Sequence, residues 1–415
     1  MKAYDTIVIG AGMSGLAAAS EIYKSNKNII VLEARDRIGG RLSSERLPDG
    51  VLYERGGELI HGTKNQMYAL VNELGIEIRE LKKAKTDLGA IESIQLFFVA
   101  LLLRFGWYPQ PHINESVTDY VNRLRFLPNS LKASIDHASK DFENLDRISA
   151  LLTVDRIRRQ IMEGEMYGEH DFIIEAGYGT LLTHLAKELP ISFNHVVTKV
   201  NWQGEQVVVE TTQGSFSAQK VVLTLPVPIL KKKMHFEPQL PQEKQAALSA
   251  HVTGDIIKLL VPVPKKAFKT ELEEGEIADA KLVLMWWRRN LPGGGPDDRQ
   301  MLVGWITGPR ARDYVNQLPD DALNTALSEL SAIVDIDLVN RDDIIVQNWT
   351  EDEFSAGTYC YIKPGYGLHT VDDLAKPLGS KLYFAGTATS SPTSTGSAHG
   401  AYESGLRVAK EVAYG

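Results

Sequence analysis

The chain has 415 residues, a formal net charge of −8 and 43% hydrophobic residues, an ordinary composition for a folded globular protein. This length predicts about two to three domains and a core that needs no disulfide or metal for stability. The acidic balance argues against a nucleic-acid-binding surface. The single cysteine, Cys360, excludes an internal disulfide and a cysteine-based metal cluster.

The sequence predicts no membrane anchor. Met1 and Lys2 lead directly into a strand-like segment, so we expect no signal peptide. The most apolar run, 94–103, is shorter than the about 20 residues of a membrane-spanning helix. Since one cysteine also favours a reducing compartment, we expect a cytoplasmic protein, which could form an oligomer.

The first part of the chain predicts a strand, a turn, a helix and a second strand. The apolar run 6–9 is typical of a buried parallel strand, and the glycine-rich segment 10–15 is typical of a turn. Apolar residues at helical spacing predict a helix that ends near 25–26. A second apolar strand, 29–32, ends at Glu33.

Two further changes in sequence pattern follow along the rest of the chain. The region from about 64 to 172 predicts mainly helices, with irregular joins at Pro109, Pro111 and Pro128. Further elements are predicted as follows: a meander within 191–225 that ends in a buried strand at 220–225, strands at 255–262 and 301–307, a helix at 321–334, a strand at 381–385 and a helix at 398–412. We therefore predict an α/β protein with a Rossmann-like domain (1–65, 175–250 and 345–415) and a second, α+β domain of mixed sheet and helices (66–174 and 251–344).

Gly10, Gly12 and Gly15 form a dinucleotide-binding fingerprint in the first turn. The first glycine permits the tight turn, the second allows the backbone to approach a pyrophosphate, and the third lets the helix pack closely on the strand. The N-terminus of the helix, near Ser14, offers unpaired N–H groups to that phosphate. Glu33 ends the next strand, where a carboxylate can accept hydrogen bonds from the hydroxyls of a ribose. This pattern alone does not distinguish flavin from nicotinamide.

The residues after Glu33 help to distinguish a flavin from a nicotinamide cofactor. Arg35, Arg37 and Arg41 surround a glycine pair at 39–40, and an arginine there can pair with a phosphate. The run 31–41 resembles the second characteristic stretch of the FAD-dependent amine oxidases, the family of monoamine oxidases, polyamine oxidases and flavin-dependent histone lysine demethylases. Other stretches that resemble the family are 54–62, 175–179, 221–226 with 236–241, 349 with 357–359, 383–386 and 399–405.

This resemblance implies an enzyme that binds FAD in its first domain and an amine in its second. Such an enzyme oxidises an amine C–N bond to an imine, which water hydrolyses, with O2 as acceptor and H2O2 released. A polyamine or another secondary amine is the favoured substrate. A chromatin substrate is not expected, because the docking domains of the demethylases are missing.

Two other functions stay open. The first is an L-amino-acid oxidase or a desaturase of the same superfamily. An amino-acid oxidase needs an arginine to bind the carboxylate, for which Arg288, Arg289, Arg310 and Arg312 are available. The second is a flavin-binding protein without turnover.

The resemblance also assigns catalytic and substrate-binding residues. Lys258 lies in the apolar strand 256–261, at the place where a lysine of the family holds a water against flavin N5, so we predict that it is catalytic. Tyr359 matches a wall of the family's aromatic cage, Ser397 replaces a second cage tyrosine, and His61 stands where polyamine oxidases have a polar residue at the substrate channel. The alternatives are a solvated strand lysine, a core tyrosine and a structural histidine.

The predicted FAD-binding residues are Gly10, Gly12, Ser14, Gly15, Glu33, Arg35, Gly40, Arg41, Gly57, Glu58, Val197, Trp349, Gly386, Thr387 and Ala398. Two departures from the family matter for the cofactor. Thr358 stands where the covalently flavinylated monoamine oxidases have cysteine, so we predict non-covalent FAD. Thr387 replaces a glutamate that bonds the ribityl chain in most relatives. No metal site is predicted.

Overall fold

The computed structural model describes residues 2–81, 102–124, 145–163, 170–269, 276–277, 282–283, 285–289 and 298–414. Its strands are β1 (Lys2–Ile9), β2 (Ile29–Leu32), β3 (Ser44–Arg46), β4 (Leu52–Glu54), β5 (Leu59–His61), β6 (Ile78–Glu80), β7 (Asp171–Ile174), β8 (Ile191–Ser192), β9 (Val197–Asn201), β10 (Val207–Thr211), β11 (Gly214–Leu223), β12 (His235–Glu237), β13 (His251–Thr253), β14 (Ile256–Pro264), β15 (Glu276–Ile277), β16 (Met285–Arg289), β17 (Arg299–Thr307), β18 (Ile345–Asn348), β19 (Cys360–Ile362) and β20 (Leu382–Phe384).

The helices are α1 (Met13–Ser25), α2 (Gln66–Glu73), α3 (Val117–Arg123), α4 (Ala150–Glu163), α5 (Tyr178–Ala186), α6 (Val227–Lys232), α7 (Gln242–Ala250), α8 (Gly308–Val315), α9 (Pro319–Leu330), α10 (Thr370–Ala375) and α11 (Ala398–Tyr414). None of them, within these described ranges, is long and apolar enough to cross a membrane.

The main sheet confirms the predicted α/β fold. Its strand order is β12-β9-β10-β11-β1-β2-β8, and β20 also pairs with β11. β1 runs parallel to both β2 and β11, whereas β10 is antiparallel to β9 and β11. The predicted meander and the predicted strand at 220–225 therefore share one long strand, β11.

Both faces of the parallel strands are buried, which explains why their sequences are continuously apolar. Val8, Val31 and Val222 pack in one core with residues of α1 and α11. Ile7 and Ile9 point to the opposite core, together with residues of β9, β10 and α7. The carboxyl ends of β1 and β2, where Gly10 and Glu33 follow, lie between these two cores.

A second sheet has the order β15-β16-β17-β14-β18 and contains both strands predicted for it. One face of β14, with Ile257 and Leu259, packs on α8 and α9. The other face, with Leu260, packs on Leu52 and Tyr53 of the β3–β4 hairpin. Lys258 has the same parity along the strand as Leu260, so its side chain points toward the β3–β4 hairpin and the segment that follows it.

The region 64–172 differs from the mainly helical prediction. It contains α2, α3 and α4, but also β6 and the start of β7, which form a small antiparallel sheet with β5. A segment of four mostly apolar residues, such as β7, is too short for its periodicity to distinguish a strand from a helix. Most of the apolar run 94–103 and Pro128 lie outside the described residues.

One predicted helix is shorter in the structure, and the predicted domain division crosses one hydrophobic core. The helix predicted at 321–334 ends at Leu330, because Val334 leaves it to form an isolated bridge with Phe268. The domain division stays a prediction. Val71 and Phe172, assigned to the second domain, belong to the same core as Val8.

Candidate cofactor and substrate site

A cavity of about 1190 Å³ is lined by residues from both large sheets. Every predicted site residue except Gly15 contributes to its wall. A Cβ atom at Gly15 would lie 1.9 Å from the carbonyl oxygen of Gly10. The third glycine therefore acts by close packing of α1 on the turn, and not as part of the wall.

The turn after β1 and the carboxylate of Glu33 hold each other in place. Gly10 has φ +103°, a conformation that favours glycine. Glu33 Oε2 accepts a hydrogen bond from Ala11 N at 2.7 Å, and Oε1 accepts one from Arg35 N at 2.9 Å. Burial raises the pKa of Glu33, while these two hydrogen bonds act in the opposite direction. Each oxygen has a second lone pair, which fits the hydroxyls of a ribose.

The two predicted phosphate-binding arginines have different surroundings. Arg35 forms an ion pair with Asp352, which compensates its charge. Arg41 donates to the carbonyl oxygen of Thr358 and, at 3.4 Å, to the hydroxyl of Thr387. Burial lowers the pKa of Arg41, and no described carboxylate forms an ion pair with it. Its uncompensated charge fits a pyrophosphate.

Lys258 is 1% exposed, which excludes a solvated strand lysine. Its Nζ donates to the carbonyl oxygens of Glu54 at 2.6 Å and Gly56 at 2.8 Å, and to the carboxylate of Glu58. Burial lowers the pKa of Lys258, and the charge of Glu58 opposes this shift. An ammonium group has three donors, so these acceptors use all of them. A water molecule bound to Nζ has to replace one of the three.

An aromatic pair forms another part of the wall. Trp305 lies directly opposite Lys258 in the β14–β17 register and stacks on Tyr359, with ring centroids 6.3 Å apart and an interplanar angle of 26°. Gly396 has φ +85°, which favours glycine, and a Cβ atom there would lie 3.2 Å from Tyr359 Cδ1, a tight contact. Trp349 donates from Nε1 to the carbonyl oxygen of Arg55 at 2.9 Å, close to Gly56.

Ser397 lines the cavity, but its hydroxyl is already engaged. It donates to the carbonyl oxygen of Ser394 at 2.7 Å and accepts from Gly400 N at 3.0 Å. These bonds hold the first turn of α11 against the preceding segment. Gly396 and Ala398, on either side of Ser397, also line the cavity.

His61 is paired with an acid that the sequence analysis did not single out. His61 Nδ1 lies 2.6 Å from Asp171 Oδ1, and both residues line the cavity. The ring of His399 lies edge-on to His61 with centroids 6.4 Å apart. Burial, assisted by the nearby His61, lowers the pKa of His399 to about 4, so His399 is neutral at pH 7. The His61–Asp171 pair follows from the β5–β7 register, which places the two residues opposite each other.

Two other lining residues were also missed. Trp305 could have been found by aligning the alternation of strands 255–262 and 301–307 around Lys258. Arg156 lies on α4 and lines the cavity, whereas Arg288, Arg289, Arg310 and Arg312 are absent from the described wall. No local motif in the sequence separates Arg156 from its neighbours Arg158 and Arg159.

Comparison with known families gives one match over most of the chain. The family model of the flavin-containing amine oxidoreductases matches residues 13–94 and 156–413. These two segments include α1 and α11 and the residues around Lys258 and Tyr359.

The individual relatives share about a quarter of their residues with this chain. Lysine-specific histone demethylase 1 homolog 1 of Arabidopsis thaliana is 26% identical over 98% of this chain and 52% of its own length. Flavin-containing amine oxidase B of Sus scrofa is 27% identical over 98% of this chain and 86% of its own length. The chain thus spans about half the length of the plant demethylase homologue that it matches.

A solved structure of wild-type putrescine oxidase bound to putrescine superposes with a TM-score of 0.81. The alignment covers 100% of this chain and 99% of that chain at 18% sequence identity. At this identity the likeness shows the fold alone.

The geometry of Glu33 leads to a first prediction. Replacing Glu33 with Ala removes the acceptor for the ribose and for two backbone N–H groups, so FAD affinity should fall by about 1.5–3 kcal/mol. The FAD affinity of Glu33→Gln should lie between those of the wild type and of Glu33→Ala, because glutamine keeps one oxygen acceptor. Titration of the apoprotein with FAD, followed by flavin fluorescence, measures this loss.

The control is Glu21→Ala, which removes an exposed glutamate paired with Lys24 on α1. It should bind FAD like the wild type. An unchanged FAD affinity in Glu33→Ala would exclude Glu33 from the ribose site.

Proposed function

The chain belongs to the flavin-containing amine oxidoreductase family, and from this premise we propose that it is an FAD-dependent amine oxidase. The observation that carries the proposal is one cavity whose wall contains the dinucleotide turn, the buried Lys258 and the Trp305–Tyr359 pair. This arrangement combines a binding site for the cofactor with an apolar site for an uncharged amine. Because a charged ammonium loses its hydration in an apolar site, such a site favours the neutral amine that reacts.

FAD is the cofactor of this family, and the residues of the cavity fit it. Glu33 and the glycine turn would hold the adenosine ribose and the pyrophosphate, and Arg41 would neutralise phosphate charge. Gly57 and Trp349 would lie along the isoalloxazine. The chemistry that bound FAD supplies is acceptance of a hydride equivalent from the carbon next to the amine nitrogen, followed by electron transfer to O2, which leaves as H2O2.

The protein's own residues prepare the amine for this reaction. Trp305 and Tyr359 exclude water, which favours the neutral amine over the ammonium form. Lys258 fixes the segment 54–58 in the wall and keeps a positive charge beside the reacting centre. The oxidised substrate is an imine, and water hydrolyses it to an aldehyde or ketone.

Two parts of the proposal concern the substrate and the compartment. The carboxylate of Asp171, next to His61, can accept hydrogen bonds from a second amino group, which supports a polyamine or another secondary amine. The name of the structural relative, putrescine oxidase, agrees with a diamine. A single cysteine favours a reducing compartment, so we propose the cytoplasm.

Peroxide release tests the proposed activity. We expect H2O2 from purified, FAD-loaded protein with at least one class in a panel of polyamines, monoamines and amino acids. Peroxide from α-amino acids alone would assign an L-amino-acid oxidase. Flavin reduction by a cyclic substrate without release of an amine would assign a desaturase. Bound flavin that no member of the panel reduces would assign a binding protein and contradict the proposal.

We further predict that the FAD is held without a covalent bond. Thr358 carries no thiol, and the Cys360 thiol is buried with its pKa raised by burial, so thiolate attack on the flavin is disfavoured. Acid precipitation should release the yellow colour into the supernatant. Colour that stays with the pellet would contradict this prediction.

Lys258→Met tests the catalytic assignment. Methionine has similar bulk, but the change leaves the buried carboxylate of Glu58 without its partner, so we expect lower stability. In protein that still binds FAD, reduction of the flavin by substrate should be slower by up to about 10²–10⁴-fold. Rapid mixing, monitored at the flavin absorbance band, separates reduction from reoxidation by O2.

Two controls separate catalysis from stability. Lys244 is another buried lysine, outside the cavity wall, and donates to the carbonyl oxygens of Asp373, Leu374 and Lys376. Lys244→Met should lower stability but not the flavin reduction rate. The double variant Glu58→Gln with Lys258→Met should recover stability without recovering the rate. Wild-type rates in both half-reactions of Lys258→Met would assign Lys258 a structural role.

A further inference from the structure

One face of α4 forms part of the cavity wall. Thr153 and Arg156 on this helix both line the cavity. Gln160, one turn further along, donates from Nε2 to the carbonyl oxygen of Thr393 at 3.4 Å. Residues three or four positions apart share one face of a helix. This face therefore lies against the segment that leads into Gly396 and Ser397, the neighbours of Tyr359.

Arg156 is the residue on this face that carries a charge. Its Nε is buried and has no hydrogen-bond acceptor among the described residues, and the guanidinium forms no ion pair with them. The neighbouring arginines differ, because Arg158 is exposed and Arg159 pairs with Asp155 at 2.7 Å. A buried donor without an acceptor costs free energy, which an anion bound at the terminal nitrogens of the same guanidinium would offset.

Most other charged groups in the described wall have an ionic partner; Lys233 is exposed and donates to the carbonyl oxygen of Glu353. Lys258 pairs with Glu58, Arg35 with Asp352, and His61 with Asp171. In the proposed function, Arg41 binds the pyrophosphate. The substrate part of the described wall therefore carries one uncompensated positive charge, on Arg156.

We propose that Arg156 binds a carboxylate carried by the amine substrate, at a distance from the carbon that is oxidised. The two terminal nitrogens of a guanidinium can donate to both oxygens of a carboxylate, which gives the pair a defined orientation. The substrate class is then an amino acid whose carboxylate is separated from the reacting amine by a hydrocarbon chain. This inference rests on the proposed amine oxidation, but it takes an amino acid with a distal carboxylate as the substrate in place of the polyamine favoured there.

The positive charge of Arg156 also discriminates against competing amines. A diamine or polyamine would bring a second ammonium group into a cavity that already holds an unpaired guanidinium, and like charges repel. In this inference Asp171 stays paired with His61 and does not offset the repulsion. If Asp171 instead accepts hydrogen bonds from a second amino group, polyamines are the better substrates. A preference for polyamines would therefore contradict the inference.

Turnover of matched substrates is the first measurement. Each chain length from propyl to hexyl is offered with a methyl, an amino or a carboxylate end, for example pentylamine, 1,5-diaminopentane and 5-aminopentanoate. We expect kcat/KM for the carboxylate series to exceed the other two by about ten-fold or more at the best length. Arg156→Gln should remove this advantage, mainly through KM, and Arg156→Lys should restore part of it. The exposed Arg158→Gln is the matched control and should behave like the wild type.

Binding of ligands that cannot be oxidised is the second measurement. Calorimetric titration of the FAD-loaded protein with pentanoate and pentanamide compares a carboxylate with a neutral end of the same shape. We expect tighter binding of pentanoate by the wild type and about ten-fold or more weaker binding by Arg156→Gln.

The two measurements separate the inference from the proposed function. Equal affinities for pentanoate and pentanamide, or no change in Arg156→Gln, would overturn the inference even if simple amines are oxidised. Binding of pentanoate that depends on Arg156, without peroxide from any amine, would support the carboxylate site and overturn the proposed oxidase.

Discussion

The arrangement of the cavity depends on the buried ammonium group of Lys258. Moving a charge out of water costs several kcal/mol, and the cost is offset only when its hydrogen-bonding partners stay in place. Lys258 belongs to β14 of the second sheet, whereas its acceptors at Glu54, Gly56 and Glu58 belong to the segment that follows the β3–β4 hairpin. Displacement of the sheet from that segment would leave a lysine and a glutamate buried without partners. One side chain thus fixes the distance between the two halves of the site.

The position of Lys258 determines where the aromatic residues lie. Antiparallel pairing of β14 with β17 places Trp305 opposite Lys258, and Trp305 stacks on Tyr359. The absence of a side chain at Gly396 leaves room for Tyr359. Leu260, two residues further along β14, packs on the β3–β4 hairpin, so the same face of the strand carries the buried lysine next to an apolar contact. A single register therefore supplies both the apolar wall and the buried charge.

Local patterns in the sequence were sufficient to predict the backbone of the part of the cavity that is proposed to hold the cofactor, because the strand, turn and helix around Gly10 and the acid at Glu33 lie within one continuous segment. The sequence left a solvated lysine open at Lys258, and only its contacts with the segment 54–58 show that it is buried. The substrate half could not be predicted in the same way. Asp171 meets His61 only because β5 pairs with β7 across 110 positions, and β7 is too short to be distinguished from a helix by periodicity. Arg156 differs from Arg158 only in the face of α4 that the tertiary structure covers.

This division has a consequence for specificity. The turn around Gly10 would contact the proposed dinucleotide largely through backbone groups, and a glycine there is required by φ or by close packing, so few substitutions are compatible with that half. The substrate half is formed by side chains from α4, β7 and β17, whose packing against the core does not depend on the charge at the cavity wall. Substitutions at Arg156 or Asp171 can therefore change which group the distal part of the cavity accepts. The ion pair of Lys258, and with it the relation of cofactor to substrate, stays unchanged by such substitutions.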